Sequence, residues 1–124
     1  MQDINATHPH ARWLTAAVLA ITSLSGVAAS NNTPNGATLL SMCTGTDKVR
    51  TLAVMCHSYT NGYIAAANFY AIKRSGKSLF CIPENSKQHI PLLITSRINA
   101  TPSLKSRPAS DILHEIFSQN FTCK

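Results

Sequence analysis

Carboxylates are scarce in this chain. Of its 124 residues five are Asp or Glu, against eleven Lys or Arg, for a formal charge of +6. Asp3 stands in the N-terminal stretch, which leaves Asp47, Glu84, Asp111 and Glu115 for the rest, none of them in an identifiable catalytic motif. The paired carboxylates of general acid–base catalysis are therefore missing. So are a glycine-rich phosphate loop and the CxxC knuckle spacing that zinc sites use. No stretch alternates with period two for long enough to read as a strand. The basic residues are scattered, with Lys73-Arg74 the only adjacent pair, so the basic stripe of a nucleic-acid binder is missing too. The positive excess still favours anionic partners through long-range steering.

What the chain does have is an N-terminal export pattern followed by four cysteines. The segment Trp13–Ala29 is apolar and uncharged, follows a mildly positive stretch ending at Arg12, and closes on the small residues Val27-Ala28-Ala29. A basic start, an apolar middle and a small-residue exit make a secretory signal peptide, with cleavage expected after Ala29. A membrane anchor is the competing reading. It is disfavoured because the strictly apolar stretch falls short of the roughly 20 residues that span a bilayer. No cysteine stands at the cleavage site for lipid attachment. Residues 1–29 are thus read as signal and residues 30–124 as one soluble domain in the periplasm, 95 of the chain's 124 residues. A domain of that size buries about 60–65% of its surface and is marginal without staples.

The exported part reads as all-α, a small disulfide-stapled bundle of about four helices. Ser30–Asn35 is a polar leader, expected as a flexible arm. A short helix follows over about Ala37–Thr44 and Gly45 stops it. The longest helix is expected over about 48–74, with Asp47 as N-cap and Ser75-Gly76 as the stop. Val49, Leu52, Ala53, Cys56, Tyr59, Tyr63, Ala67, Tyr70 and Ala71 form its inward face at helical spacing. Ala65-Ala66-Ala67 would admit a neighbouring helix, and Gly62 weakens the middle by about 1 kcal/mol, so close packing is its expected justification. Ser86 caps a third helix to about Ala100, with Ile90, Leu93, Ile94 and Ile98 inward. Thr101–Arg107 is a loop. Pro108 opens a fourth helix to about Asn120, carrying Ile112, Leu113, Ile116 and Phe117 as its stripe.

Four cysteines allow three pairings. A short loop between the third and fourth helices makes them antiparallel, which brings Cys81 and Cys123 to one end. Cys43 and Cys56 face each other across a tight hairpin. These layouts favour Cys43–Cys56 and Cys81–Cys123. The rival Cys56–Cys81 would need the connector to fold back about 20–27 Å along the long helix at 1.5 Å per residue. His57 beside Cys56 could suggest an activated thiolate, but a bridged cysteine is the blander reading. His114-Glu115 reads as a solvated helix face. No cofactor or metal is expected, and the chain is not expected to be an enzyme.

The order of features resembles a known family. Gly36-x-x-Leu39-Leu40-x-x-Cys43 leads to Cys56-x-x-Tyr59-x-x-Gly62-Tyr63-Ile64, then Phe80-Cys81-Ile82-Pro83, a Gln88-containing helix, the Pro102 loop, Pro108-Ala109 and Phe121-x-Cys123. This pattern, spanning Gly36–Cys123, is similar to the Rap/Tai immunity proteins, periplasmic antidotes to the peptidoglycan amidase effectors of type VI secretion. Two departures are visible. Ala65-Ala66-Ala67-Asn68 stands where the family often carries a small acidic position, and Thr122-Cys123 replaces a Pro-Cys ending. The resemblance implies an all-helical homodimer that binds a cognate secreted amidase and occludes its active site. Under it, the bare tip of the Thr101–Arg107 loop is the expected plug, with Leu104, Lys105 and Arg107 making contact. Arg50, His57, Asn61 and Asn68 on the long helix are a second candidate surface. The alternative is a periplasmic acid-stress chaperone of the HdeA type, which so few titrating carboxylates would struggle to trigger. A secreted basic antimicrobial or membrane-surface protein is a third class, resting on charge alone.

Overall fold

Asn35 sets the start of the first helix. In the computed structural model, which describes residues 32–124, its side-chain Oδ1 accepts a hydrogen bond from the Thr38 amide at 3.0 Å, and α1 runs Gly36–Cys43. The cap satisfies a helix-end N–H that would otherwise lack a partner. Asn35 is therefore not part of a flexible arm. It bridges Pro108, while the Pro34 carbonyl accepts from Ala109 N and the Arg107 carbonyl from Gly36 N, each at 2.9 Å. The signal expected at residues 1–29 lies outside the described residues.

Gly45 turns the chain in the left-handed region, φ 74°, and α2 runs Arg50–Ser75. It begins two residues later than expected, with extended Val49 before it and no side-chain cap. Asp47 is part of the turn instead. Gly76 ends the helix at φ 75°, its amide bonded to the Ile72 carbonyl at 2.8 Å, as a left-handed glycine stop does. A 3-10 turn, Glu84–His89, then precedes α3, Ile90–Ala100. The single helix expected from Ser86 is split because Pro91 has no N–H to continue the ladder, yet fits the first turn of a helix restarted at Ile90. A second 3-10 turn, Pro102–Ser106, leads to α4, Ala109–Asn120, with Pro108 just outside it. Among the described residues the extended pairing consists of two isolated bridges, Asn35 with Pro108 and Phe80 with Thr122.

The core is built by the expected stripes of α3 and α4. Ile90, Ile94 and Ile98 meet Ile112, Leu113, Ile116 and Phe117, and Leu39 of α1 closes the space between them. Phe117 lies at the centre of an aromatic group, its ring 5.7 Å from Phe80, and 6.0 Å from both Tyr63 and Phe121. Each such side chain contributes roughly 1.5–3 kcal/mol on burial.

Two disulfides, Cys43–Cys56 and Cys81–Cys123, tie this core to the chain around it. The first joins the end of α1 to α2. The second joins the connector after α2 to the C-terminus, where Cys81 N also bonds the Phe121 carbonyl at 2.8 Å. In the chain-entropy model the loops they close correspond to about 3 and 4 kcal/mol.

The long helix contributes less to the core than its pattern promised. Cys56 and Thr60 are its fully buried residues, and Tyr70, expected inward, is 71% exposed. Gly62 also departs from expectation, since nothing approaches its Cβ side within 4 Å. Ala65 and Ala66 are exposed.

The close approach is at Gly36. A Cβ there would collide with the Leu104 carbonyl oxygen and lie 2.7 Å from Cδ1 of Ile112. The obstacle is backbone on one side and core on the other, so neither can yield cheaply. Gly36→Ala should therefore lower unfolding free energy by roughly 1–3 kcal/mol, the cost of overpacking. Urea denaturation of the oxidised protein measures it, and an unchanged midpoint would show that the contact can relax.

Candidate functional site

The segment Thr101–Arg107 was expected as a bare loop offering three contact residues. The structure separates them. Leu104 is 3% exposed and belongs to the core, because the 3-10 turn swings it inward beneath α1. Its amide donates to the Thr101 carbonyl at 2.9 Å and its own carbonyl accepts from Arg107 N at 3.1 Å. A partner cannot reach that side chain without opening the core, so Leu104 is corrected from contact residue to the anchor of the turn. Lys105 is exposed on the outer side of the turn, beside Ser103 and Ser106. Arg107 is exposed but already engaged.

Glu115 of α4 engages it. Its Oε2 accepts from Arg107 Nη1 at 3.2 Å, and its Oε1 from Arg97 Nη2 of α3. One carboxylate thus ties the end of α3, the segment after the 3-10 turn and α4. The hydrogen bonds from Arg97, and then Arg107, hold its acidity stronger than that of an ordinary glutamate. Glu115 is therefore not a free solvated position. A lone glutamate four residues beyond Asp111 gave no hint of two arginine partners that stand 8 and 18 residues away.

The second candidate surface is also divided. Arg50 and Asn61 are exposed, and His57 is half-buried. Asn68 clamps the connector: Oδ1 accepts from Leu79 N at 3.0 Å and Phe80 N at 2.8 Å, and Nδ2 donates to the Phe80 carbonyl at 2.9 Å. Three backbone groups find their partner in one amide, so Asn68 is structural. The sulfur of Cys56 is bonded to Cys43 and holds no thiol for His57 to activate.

Two further features lie outside these candidates. A groove of about 450 Å³ separates the α1–α2 turn from the outer side of α3, with Thr46 and Asp47 on one wall and His89, Leu92, Thr95 and Asn99 on the other. On the opposite side of the core, the Tyr63 hydroxyl lies 3.3 Å from Nδ1 of His114. Burial, with the charge of Asp111 and Tyr59 adding, pushes that phenol above its usual range, so it stays neutral at physiological pH. The described surface thus presents a hydrogen-bonded turn, an ion-pair cluster and a mixed polar groove.

Residues 35–123 match the sequence profile of the Rap1a immunity proteins, and the chain belongs to that family. The match covers nearly all of the described fold. No curated protein and no solved structure matches the chain.

The Glu115 cluster yields a pH prediction. Its folded-state acidity is lowered, so its contribution is present above the unfolded glutamate value, about 4.3, and is lost as pH falls through the lower folded value. Wild type should be more stable than Glu115→Gln at neutral pH, and the two should converge under strong acid. Urea midpoints across pH check this. Parallel profiles would show that the pairs contribute no net stability.

Proposed function

We propose that the protein is an exported immunity protein that binds a type VI secretion peptidoglycan amidase and occludes its active site in the periplasm. The observation that carries this is the family match over residues 35–123. Two disulfides in a small domain support an oxidising compartment. The chain acts as a stoichiometric inhibitor without turnover and works as a homodimer. The family match favours this reading over an acid-stress chaperone.

Inhibition by covering a cleft rewards a surface that does not need ordering first, because each mobile side chain or loop fixed on binding costs affinity. The Thr101–Arg107 segment meets that requirement. Leu104 holds it from below, Glu115 holds Arg107 from the side, and Lys105 stands outward with no ion-pair partner among the described residues. In this reading Lys105 and the exposed backbone of the turn meet the amidase, and Leu104 acts only through the shape it enforces.

Calorimetric titration against purified type VI peptidoglycan amidase effectors from the same organism tests the reading. Wild type should bind at nanomolar affinity, about −12 kcal/mol. Lys105→Glu should weaken binding by roughly 2 kcal/mol or more, as truncating an interface anchor does, and leave the melting temperature unchanged. Leu104→Ala should instead lower stability by about 2–5 kcal/mol, as a core truncation. Absence of wild-type binding would eliminate the immunity reading. Full affinity in Lys105→Glu would move the contact away from the turn.

A further inference from the structure

The two disulfides stand in opposite surroundings. Cys43 is 2% exposed and Cys56 not at all, both inside the hydrophobic core. Cys43 borders the groove beside α3, but too little of it shows there for a reagent to reach the bond. Cys81 is exposed and Cys123 half-buried, in the irregular segments before α3 and after α4. Thiol–disulfide exchange needs a thiolate to reach one of the two sulfurs. A bond sealed in the core therefore reacts only when the fold opens, whereas one at the surface reacts in the native state.

The chain around Cys81–Cys123 is also held by contacts that do not depend on the bond. Cys81 N donates to the Phe121 carbonyl at 2.8 Å and Cys123 N to the Leu79 carbonyl at 3.3 Å. Asn68 clamps Leu79 and Phe80 from the other side. Phe80 and Phe121, near neighbours of the two cysteines, are buried with their rings against Phe117. Opening the bond leaves these contacts in place. The two sulfurs then stay close together, so the bond reseals in the same pairing.

From this we propose that Cys81–Cys123 is a reversible thiol-exchange site open to a dithiol reductant in the folded protein, and that Cys43–Cys56 is closed to the same reagent. A thiolate of the dithiol attacks Sγ of Cys81, the exposed half of the pair, and forms a mixed disulfide. Cys123 leaves as a thiolate and takes up a proton. Lys124 adjoins Cys123 in the sequence, and its positive charge favours that anion. The second thiol of the reagent gives up its proton and attacks the reagent sulfur bonded to Cys81. This closes the reagent's own disulfide and releases Cys81, which is protonated in turn. Two electrons and two protons have then passed from the dithiol to the protein.

The division of labour follows from burial. Cys43–Cys56 is a fixed staple of α1 to α2. Cys81–Cys123 is a bond the protein can lose and regain without unfolding, at the cost of a lower melting temperature while it is open, because the loop it closes is then free in the unfolded chain. The inference stands whichever amidase the protein meets.

Native-state reduction of the oxidised full chain tests it. The protein is held in dithiothreitol at neutral pH without denaturant, thiols are trapped by alkylation over time, and peptide mapping locates them. Cys81 and Cys123 should label together, at least roughly a hundredfold faster than Cys43 and Cys56, because a buried bond waits for an unfolding with an equilibrium constant of about one in a thousand or less. The two-thiol form should keep the helical circular dichroism of the oxidised protein, melt at a lower temperature, and regain its bond once the dithiol is removed. In urea all four cysteines should label at similar rates.

Labelling of all four cysteines together without urea overturns the inference, as does labelling of Cys43 and Cys56 first. No labelling before urea is added overturns it too. Loss of helical signal as Cys81 and Cys123 label would show that the hydrogen bonds and rings do not hold the segment, and would overturn the reversible site.

Discussion

The close approach of Gly36 in α1 to the Leu104 carbonyl, which leaves no room for a side chain, sets how α1 can lie on the rest of the fold. It lets α1 lie directly over the second 3-10 turn, with the Pro34 carbonyl accepting from Ala109 N and the Arg107 carbonyl accepting from Gly36 N on either side. Leu104 is thereby driven into the core, where its turn packs against α1 and α3. Because α1 also reaches α2 through Cys43–Cys56, this contact helps join the N-terminal half of the fold to the C-terminal half. A glycine is required there for the space it leaves free.

The second organising constraint is the treatment of the connector after α2. An irregular apolar segment buried against helices exposes its backbone groups to desolvation. Here Asn68 satisfies three of them, the chain end satisfies two more, and Cys81–Cys123 makes the arrangement covalent. Phe80 is then held against Phe117 and Tyr63. The two halves of the molecule thus use different means to the same end. One closes by steric fit and a short disulfide loop, the other by an amide clamp and a long one.

Local signals in the sequence were reliable where they act locally. The stripes Ile90/Ile94/Ile98 and Ile112/Leu113/Ile116/Phe117 bury as their spacing indicates, Gly45 and Gly76 turn where expected, and the four cysteines pair as the helix layout favoured. What the sequence left hidden depends on contacts between distant residues. Leu104 in a Pro/Ser/Lys setting reads as a loop tip until α1 is placed over it. Asn68 reads as a polar surface residue until the connector returns to it. Glu115 gains its two arginines only once α3 and α4 are packed. The long helix misled for another reason: its three-to-four repeat has apolar residues on two faces, and periodicity alone does not say which face its own chain covers.

These corrections change what a binding surface on this protein can be. The turn at Thr101–Arg107 is a hydrogen-bonded edge with Lys105 outward, and the charge-free side of α2 lies apart from it along the chain. Protection of cells tests the central claim most directly. The amidase effector that the chain is proposed to bind, directed to the periplasm of a susceptible bacterium, should lyse the cells, and co-expression of the full-length chain should restore survival. A version lacking residues 1–29, the proposed export signal, should fail to protect. Lysis undiminished by the exported chain, at matched expression, would contradict the account.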